Sequence, residues 1–169
     1  MTTGVVAADW IKRIADDERQ RDAVRAREEE TVARKAGLVR QNGQRLLAEL
    51  HVALARDVDA FRDEFAGDAT RAIVLGPVDA TGGFVVRKPA SPTVTLTIVP
   101  RLDAAAMGCH YQFTSMHGLP PREERVELVF AADGAETLQI RTHHTGQVFA
   151  SADALSEFLL GPVFTGRPR

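Results

Sequence analysis

All eight prolines of this chain fall at or after Pro77, and none lies between Ala7 and Phe65. Proline removes a backbone donor and clashes with the preceding turn, so its absence over such a length leaves the segment free to be helical. Ala, Arg, Glu and Leu, all strong helix formers, dominate that segment. The second half is punctuated by Pro, Gly and Asp and reads as short strands. The chain therefore divides into a helical arm and a sheet.

The arm has two textures. Asp9 suits an N-cap for a helix opening near Trp10, with Ile11 and Ile14 following at helical spacing. Residues 16–35 are almost wholly charged, 13 of 20 being Asp, Glu, Lys or Arg. Opposite signs sit three or four residues apart at Asp17 and Arg21, Asp22 and Arg25, and Glu30 and Arg34. Each such pair contributes only about 0.2–0.5 kcal/mol, but together they favour helix where little is buried. Val24 and Val32 are the only larger aliphatics here, so this stretch faces solvent or packs along a narrow seam.

Beyond Val39 the pattern changes. Leu46, Leu50, Leu54, Val58, Phe61 and Phe65 recur in steps of four and three, with Leu47 widening the strip. That is an amphipathic helix with an apolar stripe, and Gly67-Asp68 supplies its stop. One rod of about 57 residues would span roughly 85 Å. The alternative is two helices broken near Gly37–Gly43, where Asn42-Gly43 is a turn signal, and the balance tilts slightly to the break.

Seven β-rich runs follow. They are Arg71–Leu75, Phe84–Arg87, Thr93–Val99, Cys109–Ser115, Arg125–Ala131, Thr137–Thr142 and Gln147–Ala150. Period-two alternation puts Val94, Leu96 and Ile98 on one face and Thr95 and Thr97 on the other, the mark of antiparallel strands with one wet face. Asp133-Gly134 predicts a tight hairpin and His143–Gly146 a longer one. Residues 102–108 read as a wide loop or one helical turn, and Pro120–Glu124 and Pro89–Pro92 as stiff connectors. Ser151 caps a final helix over 152–160, with Leu155, Phe158 and Leu159 on its apolar face and Gly161-Pro162 as its stop.

The expected fold class is α+β. A long N-terminal helical arm, one rod or two helices, packs on one face of a mainly antiparallel meander sheet beside a short C-terminal helix. The spans are 8–66 for the arm, 69–150 for the sheet, 151–161 for the helix and 162–169 for a tail, within one domain. A chain of 169 residues is long enough to bury a core without staples.

Composition narrows the function. The net charge is −2, and neither half is basic, which argues against nucleic acid as a partner. The single cysteine, Cys109, allows no intrachain disulfide. The opening MTTGVVAADW lacks a basic-then-apolar leader, and no apolar run approaches the roughly 18 residues of a membrane helix. The expectation is a cytoplasmic protein. Arginine outnumbers lysine 18 to 3, as in GC-rich bacterial genomes.

No constellation names a reaction. His143-His144 are adjacent, and neighbours on a strand point to opposite faces, so they do not form a metal pair without bending. His110 and His117 lack an accompanying carboxylate motif. Cys109 and His110 likewise face apart, which leaves the thiol without a base in reach. Thr81-Gly82-Gly83 is too short for a phosphate loop. No metal, cofactor or catalytic residue is expected, and an enzyme is disfavoured. Two readings remain. The first is an interaction or assembly module, a homo-oligomer or binder of a protein partner, using Trp10, Ile14, Val24 and Val32 on the arm. The second is a small-molecule-binding module with a cavity between sheet and helix, walled by Tyr111, Phe113, Met116 and Phe130.

Overall fold

A computed structural model describes residues 3–114, 118–133 and 137–169, with the backbone alone for residues 3–7 and Asp133. The expected α+β class is present. Helix α1 spans Thr3–Glu64. Strands β1 (Val74–Leu75), β2 (Phe84–Lys88), β3 (Thr93–Arg101), β4 (Ala106–Thr114), β5 (Arg122–Asp133), β6 (Thr137–Thr142) and β7 (Val148–Phe149) follow, then helix α2 (Ala152–Thr165). The seven strands pair in sequence order, each antiparallel to the next. By internal packing the chain forms two compact units, residues 1–37 and 38–169.

The first unit is helical throughout its described residues, and none of residues 8–37 is buried. Its ion pairs join Asp16 to Arg19 at 2.7 Å and Glu18 to Arg21 at 2.8 Å. These replace the pairs expected from Asp17, Asp22 and Glu30. Exposed partners at three and four residues are nearly equal in energy, so spacing alone does not choose among them. The helix also begins at Thr3, upstream of the expected start near Trp10.

The second unit holds the core. Val39, Leu47, Leu50, Ala53, Leu54 and Val58 of α1 are buried. Leu47, Leu50, Leu54 and Val58 meet Val86, Val94, Leu96, Ile98, Met107, Cys109, Tyr111, Phe113 and Leu128 from one face of the sheet, and Leu155, Leu159, Leu160 and Val163 of α2. Helices cover one face of an antiparallel sheet, as burial of a single apolar face requires. Polar ties lock the two helices. Ser156 Oγ donates to Asp57 Oδ2 at 2.6 Å, and Arg56 pairs with Asp153 at 2.8 Å. Burial alone would raise the Asp57 carboxyl, but the hydrogen bonds from Arg56 and Ser156 outweigh it and hold the group below its ordinary value.

Several boundaries differ from expectation. α1 does not break at Gly37–Gly43. A glycine inside a helix costs about 1 kcal/mol relative to alanine, but Gly43 serves packing rather than turning. A Cβ there would meet Leu102 Cδ2 at 3.0 Å, so the bare backbone lets Leu102 approach. Residues 69–71 form a 3-10 turn, which leaves only Val74–Leu75 of the expected first strand. A second 3-10 turn occupies Leu102–Ala104, and β4 then starts at Ala106. Arg122–Glu124 belong to β5, not to a connector. α2 continues through Pro162 to Thr165 and is capped by Gly166 at φ 69°. Packing overrides the proline signal there, since Val163 is fully buried and Phe164 stacks on Phe61 at 4.1 Å. The Asp133-Gly134 turn lies outside the described residues.

Leu54→Ala is expected to cost about 2–5 kcal/mol by leaving a cavity at a position with no exposure. Val32→Ala, exposed at 68%, should stay within about 0.5 kcal/mol of the parent. Urea unfolding midpoints of the two variants check both.

Candidate functional site

Strand alternation sorts the side chains of the sheet onto two faces. On the inner face, Tyr111 and Phe130 are almost fully buried and Phe113 nearly so. The Tyr111 hydroxyl donates to the Leu159 carbonyl at 2.7 Å, and its ring stacks on Phe113 at 5.9 Å. Burial is the main cause that raises its phenol above the ordinary range. All three side chains are buried, and Tyr111 braces α2. Met116, the fourth expected wall residue, lies outside the described residues, as does His117.

A cavity does open at the junction of helices and sheet, on other residues. It measures about 160 Å³ and is bounded by Leu46, Leu50, Leu138, Ile140, Phe149 and Leu155, with Glu49, Gln139 and Ser151 as polar members. Sequence reasoning missed it because its position depends on how β6 and β7 meet α1. The available signal was Leu46 at the flank of the stripe.

The outer face carries a group of charged side chains. Register aligns Thr97, His110 and Arg125 across β3, β4 and β5, and Val99, Gly108 and Glu127 in the next row. Gly108 brings no side chain to its row, and a Cβ there would meet nothing closer than the Val99 carbonyl at 3.8 Å. The result is a depression of about 310 Å³ bordered by Val99, Arg101, His110, Arg125 and Glu127. Arg101 and Glu127 form an ion pair across it. His110 Nε2 lies 3.2 Å from Glu123 Oε2 but off line, so this buried nitrogen has no hydrogen-bond partner among the described residues.

The remaining candidates are dispersed. Cys109 points into the core, opposite His110, and burial pushes its thiol up to about 12 with a further push from Glu127. A thiol held protonated is a poor nucleophile. His51 contacts the Gly76 carbonyl at 3.0 Å and sits edge-on to Phe84, a packing role. The rings of His143 and His144 are exposed and 5.5 Å apart. Among the described residues, no three His, Cys, Asp or Glu side chains converge as metal ligands. Lys88 is buried, and its ammonium donates to the Ala90 and Pro92 carbonyls at 3.0 Å each. Desolvation, then Arg71, lowers its pKa. It holds a turn. On the first unit, Trp10, Ile14, Val24 and Val32 are all exposed, Ile11 with them. No helix among the described residues is long and apolar enough to cross a membrane.

No protein-family model, no curated protein and no solved structure matches this chain.

The Cys109 thiol should resist a disulfide reagent in the folded protein and react at once on unfolding. It also predicts an alkaline weakness. The folded state keeps the Cys109 proton from its ordinary value of 9.0 up to about 12, whereas the unfolded chain releases it, and Tyr111 acts in the same sense. The folded state then binds more protons, so stability falls as pH rises through that window. Urea midpoints should drop steadily between about pH 9 and pH 12, and in Cys109→Ala the drop should be shallower.

Proposed function

We propose that this chain is a non-catalytic cytoplasmic module of bacterial type that assembles, with a second copy or a protein partner, through its N-terminal helix. One observation carries the reading. Trp10, Ile11 and Ile14 are 48%, 54% and 52% exposed on adjacent turns of a helix that buries none of residues 8–37. Large apolar side chains grouped in water mark interaction surfaces, and Trp is a frequent anchor of such contacts. The charged stretch after them supports helix formation without a core to lie on.

A second reading is favoured by the junction cavity. Its apolar walls and few polar members suit a small apolar molecule with one polar group.

Light scattering on size-exclusion eluates tests the first reading. The full chain is expected to exceed monomer mass at high micromolar concentration or to take up a partner. Trp10→Asp with Ile14→Asp should abolish this and leave the melting temperature unchanged, since neither residue is buried. A strict monomer unaffected by deleting residues 1–37, with no partner recovered by that segment, would sink it. A thermal-shift screen with small apolar alcohols and acids tests the second. Upward shifts that vanish in Leu46→Trp, which fills the cavity, are the expected outcome, and uniformly flat curves would remove the reading.

A further inference from the structure

The depression over Gly108 combines three observations. First, it is shaped by an absent side chain and leaves one flank of Val99 uncovered, so this valine remains 49% exposed. Second, its border carries two guanidiniums, Arg101 and Arg125, one carboxylate, Glu127, and the His110 imidazole, so guanidiniums outnumber carboxylates two to one. Glu127 is engaged by Arg101, whereas Arg125 has no ion-pair or hydrogen-bond partner among the described residues. Third, the His110 ring, directly opposite Arg125 in register, carries a buried nitrogen that lies 3.2 Å from the Glu123 carboxylate without forming a hydrogen bond. Buried polar groups are normally hydrogen-bonded, and among the described residues this one is not.

We propose that the depression binds a small organic monoanion, a short-chain carboxylate. Arg125 holds the carboxylate, and the aliphatic end lies on Val99. A guanidinium presents a rigid fork that matches a carboxylate with two parallel hydrogen bonds. The fixed negative charge of Glu127 within the same depression disfavours a dianion such as phosphate. The volume of about 310 Å³ leaves room for a chain of a few carbons. The site is independent of the arm and of the junction cavity.

Amide NMR of the full chain, titrated with sodium butyrate, sodium acetate and n-butylammonium chloride, tests it. Butyrate should shift the Gly108, His110 and Glu127 amides saturably, with a dissociation constant on the order of millimolar. Acetate should bind several-fold more weakly, and butylammonium should leave those signals in place. Gly108→Val fills the depression at a position where a Cβ meets only ordinary contacts, so the rest of the spectrum should stay unchanged while binding is lost. Arg125→Gln should weaken butyrate about tenfold or more, the loss of one charge-assisted interaction. Absence of shifts at these amides, equal shifts with butylammonium, or wild-type binding in either folded variant would overturn the proposal. Equal affinity for acetate and butyrate would overturn the role given to Val99.

Discussion

The second unit depends on one contact: the apolar strip of α1 from Leu47 to Val58, joined by α2, against the inner face of the sheet. The strands cannot supply that stability alone. β1 and β7 are two residues long, so the edges of the sheet contribute little pairing. What unites the layer is removal of its inner face from water, at about 25 cal/mol per Å² of apolar surface. Polar bonds then fix the geometry. The Tyr111 hydroxyl on Leu159 and the Ser156 hydroxyl on Asp57 each bind α2 to a different neighbour. A partly apolar seam fastened by a few directed bonds explains how a helix containing Pro162 keeps a single position.

Covering the inner face determines where chemistry can happen. Once Leu96, Ile98, Met107, Tyr111 and Leu128 are committed to the core, the inner face no longer offers these side chains to a ligand. Cys109 and His110 show the consequence. They are neighbours in sequence but separated by the thickness of the sheet, one shielded and held protonated, the other on a charged surface. A nucleophile and base drawn from consecutive strand residues cannot meet. The same alternation gathers Arg101, Arg125, His110 and Glu127 from three strands onto one surface, which no linear motif would reveal.

Much of this architecture was legible in the chain, and the failures share a cause. The strip from Leu46 to Phe61 and the alternation of Thr93–Val99 are local patterns, each set by the period of its own element, and they were read correctly, whereas Phe65, expected to end the strip, lies past the end of α1 at Glu64. The glycine at position 43 misled because its reason lies at Leu102, far away in sequence. Pro162 misled because Val163 and Phe164 are held by partners on the sheet and on α1. Tyr111, Phe113 and Phe130 were recognisable as inward-facing. Whether inward meant cavity or core was settled by how closely α2 packs, a quantity that strand periodicity does not contain. The depression at Gly108 was invisible for a related reason. A missing side chain matters only when its cross-strand neighbours, Val99 and Glu127, are known.

The first unit obeys different physics. Residues 8–37 bury nothing, so their helix rests on intrinsic propensity and on exposed ion pairs such as Asp16–Arg19. Those contributions are small individually and are screened by salt. Helix formation is cooperative, however, and a long run offsets a costly nucleus better than a short one. Nothing in that balance needs Trp10, Ile11 or Ile14. Aromatic and β-branched residues are weaker helix formers than the Ala, Glu and Arg around them, and at about half exposure each they leave apolar surface in water. They stabilise neither the helix nor a core of their own.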